Sequence, residues 1–360
     1  MSAAEDFLAT GLLPKAPLGP RLLKALVTQR TVLLAVLLVL VVAVMSALSS
    51  AGYMAGEYNA DYMSAALINA VPLTMLALAE LVVILSGRGG IDLSVGAIVS
   101  LTGMVFGFTY GLWEFSLPVS ILAAVVFGAL CGAVNGVLVA YLGFPPLIAT
   151  LASFYAFKSL AVVINNQRPI STPRIQDFYA TAKAVELPVI GHNIPNIPLG
   201  IFTFLIPAVL CIWFLLARTA YGRRIFAVGT NNTAAQWAGI DTRRTRFGAY
   251  LLSGVLSGLV AVVTVAQFAS ARPDAGVSGN GMALPAITIA VLGGVAITGG
   301  IGRVSGVVLA ALLIVWLNAG LLLLFAGNTG AQIQLFALGT VLILAALLNG
   351  IATRRYGGTT

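Results

Sequence analysis

Charged residues are scarce in this sequence. Asp, Glu, Lys and Arg make up 8% of its 360 residues, against about a quarter in soluble domains, while 59% are hydrophobic. The mean hydropathy is +1.02. A chain so poor in charge cannot give a large soluble core a polar surface. The composition therefore excludes an ordinary soluble domain and indicates a polytopic membrane protein.

Residues that carry catalysis or hold metals are also rare. The chain has 2 cysteines, Cys131 and Cys211, both inside apolar runs, and 1 histidine, His192, with no acidic cluster beside it. A metal site needs several ligands, and a nucleophile needs a base within hydrogen-bond reach. We therefore expect no catalytic residue, no metal site and no enzymatic activity in this chain alone.

Nucleotide-binding loops are missing as well. No G-x-x-x-x-G-K-[ST] pattern occurs anywhere in the chain. The stretch GGIGRVSG at 299–306 lacks the glycine spacing of a dinucleotide loop and lies between two apolar runs. The chain is therefore not expected to bind ATP through a phosphate loop.

Long apolar runs are what the sequence has in abundance. At about 20 residues for each membrane crossing, ten candidate spans follow one another. They cover roughly 31–51, 63–86, 93–112, 117–140, 146–165, 199–217, 248–269, 283–300, 304–326 and 331–351. The sequence thus predicts an all-α polytopic membrane protein of about ten transmembrane helices. Five spans, an odd number, precede the loop 166–198 and five follow it, so the two halves would be inserted with opposite orientation, which suggests an inverted repeat of two five-helix halves.

The positive charges set the orientation. If the N-terminus is cytoplasmic, the Lys and Arg residues of the inner loops and tails greatly outnumber those outside. The outer ones are Arg168, Arg174, Lys183 and Arg272. This is the positive-inside bias of membrane proteins, so the net charge of +8 reflects topology and nucleic acid is not an expected partner.

The same topology predicts the organisation of the chain. A cytoplasmic tail, 1–30, precedes a transmembrane domain, 31–351, and a cytoplasmic tail, 352–360, follows it. Within the domain, the longest outer loop is 166–198, with a short helix near Ile175–Val185, and the longest inner loop is 218–247. Both termini are predicted to be cytoplasmic.

Glycines recur at four-residue spacing in several spans. Gly128, Gly132 and Gly136 share one face of the fourth span, and the pairs Gly254 and Gly258, and Gly302 and Gly306, repeat the pattern. Small residues at this spacing let helix backbones approach closely in lipid. They predict tight helix packing.

Two charged residues fall inside predicted spans, where burial costs a few kcal/mol or more. Glu80 lies in the second span and Lys158 in the fifth. Glu80 is either part of a polar pathway or proton relay, or a partner in an interhelical hydrogen bond. Lys158 either joins a pathway or extends to the outer surface.

The stretch GGIDLSVGA at 89–97 opens the third span. Gly89 and Gly90 permit a tight backbone, and Asp92 and Ser94 are suited to the start of a helix, where a carboxylate accepts backbone N–H groups. These residues predict a well-capped helix start.

The inner loop contains the stretch TAAQWAG at 233–239. Its alanines favour a helix with a small face, Trp237 could anchor a partner, and Gly239 could end the helix in a left-handed conformation. Asn231 or Asn232 is placed to cap its start. The alternative is a solvated positive loop.

This last stretch fits the E-A-A-x-x-x-G pattern of ABC importer permeases, with Thr233 in place of Glu. Together with other stretches in the same order, it makes the chain resemble the permease subunit of ribose-type (sugar) ABC importers, which are binding-protein-dependent. The resemblance begins at about residue 63. It rests on GGIDLSVGA (89–97), GAVNGVLVAYLGFPPLIATLAS (132–153), TAYGRRIFAVGTNNTAAQWAGID (219–241), GAYLLSGVLSGLVAVV (248–263) and AITIAVLGGVAITGGIGRVSGVVLAALLI (286–314).

The resemblance implies a mechanism and its partners. Two permease copies, or one with a paralogue, would form the pore in a bacterial inner membrane. Separate ATPase subunits would bind ATP and Mg, and a periplasmic solute-binding protein would deliver a small polar solute. The implied coupling helix contacts the ATPase, and its residues are Asn231, Thr233, Ala234, Ala235, Trp237, Gly239 and Ile240. This chain itself would need no cofactor.

A neutral hydroxylated solute needs hydrogen-bonding groups along its path. The candidates within the spans are Glu80, Asn135, Thr150, Ser153, Asn165 and Asn318. The alternative for each is an interhelical hydrogen bond within one subunit.

Departures from the family pattern leave the solute open. Arg88 stands beside the glycine pair, Glu80 lies upstream, and the loop 271–282 lacks an acidic residue often found near its end. A sugar is the leading expectation. A polyol, a nucleoside, a branched-chain amino acid or a signalling furanose is the alternative within the same class. A self-sufficient secondary transporter that uses Glu80 is the alternative outside it.

Overall fold

The computed structural model describes residues 30–181, 184–185, 195–278, 281–325 and 327–356, and nearly all of them are helical. In chain order the helices are α1 (Arg30–Ser50), α2 (Ala60–Leu85), α3 (Val95–Phe106), α4 (Leu117–Gly136), α5 (Pro146–Val163), α6 (Pro173–Phe178), α7 (Ile206–Arg218), α8 (Ala220–Thr230), α9 (Asn232–Trp237), α10 (Thr242–Phe268), α11 (Ala283–Leu292), α12 (Val304–Leu324) and α13 (Asn328–Tyr356). Turns of π-helix extend α3 over Gly107–Leu112 and α4 over Val137–Tyr141, and lead into α7 over Ile201–Leu205.

The helices confirm an all-α polytopic membrane fold. Within the described residues, 8 helical segments are long and apolar enough to cross a membrane, and α11 and the Asn328–Leu344 part of α13 are shorter apolar helices. The predicted tail 1–30 lies outside the described residues except for Arg30, as do Lys183 and His192. The predicted tail 352–360 is described only to Tyr356, and α13 continues to that residue.

The eighth predicted span, 283–300, is wrong in length. Helix α11 ends at Leu292, so it is about 15 Å long at about 1.5 Å per residue. Gly294, Gly299 and Gly300 then adopt left-handed conformations, with φ of 91°, 95° and 73°. A helix cannot continue through such residues, so the rest of the predicted span is an irregular segment.

The two long loops contain more regular structure than expected. The inner one, 218–247, is largely helical: it holds α8 and α9, and α10 begins at Thr242, before the predicted start at 248. In the outer loop the helix is shorter than predicted, because α6 ends at Phe178. A 3₁₀ turn follows at Tyr179–Thr181, and then β1 (Ala184–Val185) pairs antiparallel with β2 (Ile197–Pro198).

Helices α2 and α10 form the centre of the bundle and contact each other. Helices α3 and α4, from the first half of the chain, pack on α10, while α11 and α12, from the second half, pack on α2. The helices that follow α2 in the chain thus pack on α10, and the helices that follow α10 pack on α2.

Glycines mediate the contact between α4 and α10, as the four-residue spacing predicts. A Cβ atom on Gly128 would collide with the carbonyl oxygen of Gly254, and one on Gly132 with that of Tyr250. A Cβ on Gly258 would lie 2.6 Å from the oxygen of Ala124. The two backbones therefore touch along the seam, which gives van der Waals contact where lipid supplies no hydrophobic drive.

Replacing Gly254 by valine is expected to separate this seam. The added side chain meets backbone on α4, which cannot move aside as a side chain can, so the free energy of unfolding should fall by at least about 1–3 kcal/mol. Denaturant titration in detergent micelles measures the loss. The control is Gly339→Val in α13, because nothing lies within 4 Å of a Cβ at Gly339. Equal stability of the two variants would contradict the close packing.

Candidate functional site

Helix α9 has the cap at each end that the sequence predicts. Asn231 caps its start, because the Asn231 Oδ1 atom accepts a hydrogen bond from the Ala234 N–H at 3.0 Å. Gly239 ends it with φ of 77°. The Gly239 N–H donates to the Gln236 carbonyl and the Ile240 N–H to the Ala235 carbonyl, which is the Schellman pattern. Both ends of the six-residue helix are thus capped by neighbouring residues of the same chain.

The exposure of α9 sorts its residues into outward and inward sets. Trp237 is 87% exposed, which is unusual for so large an apolar side chain, and Ala234 and Thr233 are exposed too. Ala235 is buried, so it packs on this chain and does not offer a contact surface. The expected small face therefore consists of Ala234 with Ala238, and Trp237 projects beyond it.

Helix α8 ties α9 to the transmembrane helices. The Tyr221 hydroxyl donates to the Thr245 carbonyl at 3.1 Å, and burial raises the pKa of Tyr221, so the phenol stays neutral. At the other end of α8, a Cβ on Gly229 would collide with the Leu85 carbonyl at the end of α2 and with Gly300. The inner ends of α2 and α8 are therefore in direct backbone contact.

The motif at 89–97 forms a buried polar cluster around Asp92. The Asp92 Oδ1 atom accepts from the Ser94 N–H at 3.0 Å, the Ser94 hydroxyl at 2.6 Å and the Asn135 amide at 3.4 Å. The Asp92 Oδ2 atom accepts from the Ser253 hydroxyl at 2.9 Å. Helix α3 begins after Ser94, but the Ser94 side chain caps none of its N–H groups, so the expected well-capped start is present only as the Asp92 carboxylate that accepts from Ser94. The bonds to α4 and α10 are tertiary. Asp92 thus joins three helices at one point.

Glu80 belongs to the same cluster. It is fully buried in α2, and its Oε2 atom accepts from the Asp92 N–H at 3.2 Å. Its Oε1 atom has no partner among the described residues, and neither has the Asn135 Oδ1 atom or the Tyr250 hydroxyl. Glu80 thus bonds to the turn that leads from α2 into α3, and its Oε1 atom remains an unpaired acceptor among the described residues.

The glycines before Asp92 hold the tight backbone that the sequence predicts. Gly89 has φ of 67°, and a Cβ on Gly90 would lie 2.6 Å from the Val83 carbonyl. Arg88 is exposed and also left-handed, with φ of 56°, a conformation that glycine adopts without the steric strain of a side chain.

A cavity of about 540 Å³ lies in the half of the molecule that the charge bias places outside. Its walls come from α2, the end of α10, the segment before α11, and α12 and α13. The lining residues are Tyr62, Ala65, Ala66, Asn69, Pro72, Leu73, Gln267, Phe268, Ala275, Ser278, Gly281, Met282, Val315, Asn318, Ala319, Leu322 and Gln334. A volume of this size suits a small molecule.

Pro72 shapes one wall of this cavity. Proline has no N–H, so the Ile68 carbonyl, one turn earlier in α2, loses its helical donor. The Gln267 side chain of α10 donates to that oxygen at 2.7 Å instead. The Gln267 side chain thus replaces the hydrogen bond that α2 loses at Pro72, and this bond joins the two central helices beside the cavity.

Of the predicted pathway residues, the structure brings only Asn318 to the cavity. Asn135 is in the Asp92 cluster, and Thr150 donates to the Pro146 carbonyl at 2.9 Å and to the Ile91 carbonyl at 3.3 Å, next to that cluster. Ser153 bonds within its own helix, to the Thr150 carbonyl. Asn165 closes a turn with the Arg168 carbonyl at 2.7 Å. Lys158 is exposed, with its Nζ atom 5.7 Å from the Phe154 ring centroid.

Sequence reasoning missed Asn69 and Gln267, which line the cavity with Asn318. Both are amides inside or at the end of an apolar helix, and that was the signal available. Within the described residues, no hydrogen bond occupies the side-chain amides of Asn69 and Asn318, so both are free to bind a solute.

A family model described as the permease component of branched-chain amino acid transport systems matches residues 62–347. The chain belongs to this permease family. The match covers every transmembrane helix except α1, and it includes the Asp92 cluster, the cavity and α9.

Relatives of the permease carry a more specific name. The autoinducer 2 import system permease protein LsrD of Salmonella typhimurium is 32% identical over 289 residues, which is 80% of this chain and 81% of that protein. The LsrD protein of Yersinia enterocolitica is 32% identical over 291 residues, with the same coverage of 80% and 81%. That of Photorhabdus temperata is 34% identical over 296 residues, again 80% and 81%. No solved structure matches the permease.

These likenesses confirm the family resemblance seen in the sequence. The protein is a multi-pass permease subunit of an ABC importer in a bacterial inner membrane, and as a permease it is not itself catalytic. Importers of this class work with an ATPase and a binding protein.

Replacing Asp92 by alanine is expected to destabilise the permease. It leaves the donors of Ser94 and Ser253 without their buried acceptor, while the Asn135 amide keeps its 2.7 Å bond to the Ser94 hydroxyl. The loss should lower the free energy of unfolding by roughly 2–4 kcal/mol. Denaturant titration in detergent measures it. Asp61→Ala is the control, because Asp61 is exposed in the first turn of α2 and should contribute less than about 1 kcal/mol. Similar losses in both variants would show that the cluster contributes little.

Proposed function

We propose that this permease imports a small, uncharged, hydroxylated solute of the sugar or furanose type, such as the autoinducer 2 named for its relatives. A periplasmic binding protein delivers the solute, and a second copy or a paralogue completes the pore. Partner ATPase subunits bind the ATP and Mg, and this chain needs no cofactor of its own.

The observation that carries this proposal is the chemistry of the cavity. Among the described residues that line it, none is charged, and the polar groups are amides and hydroxyls. An amino acid would bring a carboxylate and an ammonium group, and burying these without partners costs several kcal/mol. A neutral polyhydroxylated molecule instead finds donors and acceptors for its hydroxyls. The cavity therefore favours a sugar-like solute over the branched-chain amino acids in the family's description.

Uptake by the whole importer tests the choice of solute. Cells that express the permease with its cognate ATPase and binding protein are given autoinducer 2, ribose or leucine at equal concentration. Uptake of leucine alone would overturn the proposal, and uptake of either hydroxylated solute without leucine would support it.

Asn318→Ala is expected to lower uptake of the solute about tenfold, since the loss of one hydrogen bond of roughly 1.4 kcal/mol corresponds to that factor. Initial uptake rates at low solute concentration measure the effect. Asn165→Ala is the matched control: it removes the same amide from a turn outside the cavity and should leave uptake within about twofold. A larger effect of the Asn165 variant would place the pathway elsewhere.

Helix α9 is proposed as the coupling helix that docks in a groove of the ATPase. Its capped ends, its small outward face and its exposed Trp237 support this role. A short helix that is capped at both ends can be displaced as one unit by the ATPase.

Trp237→Ala should weaken binding of the ATPase by about 2 kcal/mol, roughly thirtyfold, which is typical of an aromatic anchor at an interface. Membrane insertion should be unchanged, because Trp237 is 87% exposed. Titration of purified ATPase against the permease in nanodiscs measures the affinity. Trp113→Ala is the control, since Trp113 is 60% exposed on the opposite side of the membrane. Unaltered affinity in the Trp237 variant would exclude α9 as the main contact.

A further inference from the structure

Arg246 is a buried cation that the proposed function has not used. It lies in the first two turns of α10 and is only 2% exposed. Its Nη2 atom donates to the Asn232 Oδ1 atom in α9 at 3.0 Å and to the Ser86 carbonyl at the end of α2 at 3.3 Å. No carboxylate pairs with it among the described residues, whose salt bridges join Arg244 to Asp241 and Arg272 to Asp274.

These two bonds join segments that have no other side-chain bond between them among the described residues. Asn232 is the first residue of α9, and Ser86 caps the inner end of α2. The carbonyls in the last turn of a helix have no partner within the helix, so a buried one needs an outside donor. Both partners bind Nη2, because this nitrogen carries two N–H donors, and the rigid planar guanidinium fixes the directions of both.

The same face of α10 leads from Arg246 to the Asp92 cluster. Tyr250 and Ser253 lie four and seven residues further on, so they share a face of the helix with Arg246. Ser253 donates to Asp92, and Asp92 donates its N–H to Glu80 of α2. One face of α10 thus carries both the bonds of Arg246 to α9 and α2 and the bond of Ser253 to the motif at 89–97.

We propose that Arg246 is a positioning residue of the transport cycle: its bonds to Asn232 and Ser86 carry movement of α9 to α2 and α10. The inference rests on the proposed function, since it needs α9 to be moved by the ATPase. Backbone contact between Gly229 and Leu85 is the competing route, in which case Arg246 would serve stability alone.

The experiment measures movement at the cavity without using any solute. Asn318→Cys is introduced after Cys131→Ala and Cys211→Ser, and the whole importer is reconstituted in nanodiscs. A membrane-impermeant maleimide then labels the cavity with and without ATP and vanadate. The ratio of the two labelling rates reports how far ATP opens or closes the cavity.

Arg246→Gln keeps polar atoms but removes the charged guanidinium. It is expected to reduce the change in labelling rate caused by ATP and vanadate about fivefold or more. Asn232→Ala should act in the same direction while leaving Arg246 in place, so a folding defect of the Arg246 variant does not decide the result. The two changes together should be no worse than Arg246→Gln alone, because they break one shared bond. Arg243→Gln, an exposed arginine three residues away, should keep the full response.

Retention of the full response in both the Arg246 and Asn232 variants would overturn the inference and leave the proposed function standing. Absence of a response in the unsubstituted importer would overturn the proposed import cycle, and the inference with it. Loss of the response in both variants, with ATPase binding unchanged and the Arg243 control intact, supports the role of Arg246.

Discussion

The packing of the inner half of this permease depends on the hydrogen bonds of one carboxylate, that of Asp92. Lipid offers no hydrogen bonds, so a buried polar group that finds a partner within the protein avoids a large desolvation cost. Asp92 gathers donors from Ser94, Asn135 and Ser253, and its own N–H reaches Glu80. Four segments of the chain are thereby held in one geometry, and the glycine seam of α4 and α10 brings two of them close enough to meet.

The polar groups of the interior divide into two regions of different character. The inner region holds the carboxylates of Glu80 and Asp92 and the guanidinium of Arg246, all fully or almost fully buried. The outer region is the cavity, whose described lining carries amides and hydroxyls without charge. The ionisable groups of the inner region join helix ends and turns through the bonds of Asp92 and Arg246, which suits a structural and mechanical role, while the Glu80 Oε1 and Arg246 Nε atoms have no partner among the described residues. The uncharged amides of Asn69 and Asn318 remain available for a solute. A solute that must be released is better served by the second kind of site.

Local features were predictable because they depend on neighbouring residues. The caps of α9 by Asn231 and Gly239 follow from the preferences of those residue types, and the structure reproduces both. The glycine spacing of α4 likewise predicted a close contact, though it did not name α10 as the partner. The length of α11 was not foreseen, since hydropathy stays high through Val295–Ile297 even where glycines end the helix. Glu80 and Asn318 looked alike in sequence, as polar residues within apolar runs, yet one is bonded in a cluster and the other faces a cavity.

The sequence alone determined that this is a polytopic helical membrane protein and to which family it belongs, because these properties follow from composition, periodicity and local motifs. Only the tertiary structure decided which polar residues meet. Asn69, Gln267 and Asn318 come from different helices, and the bond from Gln267 to the Ile68 carbonyl exists only because α10 lies beside the break at Pro72. Ala235 shows the reverse case: its sequence context predicts a place on a docking face, but the fold buries it. Helix packing sets both outcomes, and a linear pattern does not specify which faces pack together.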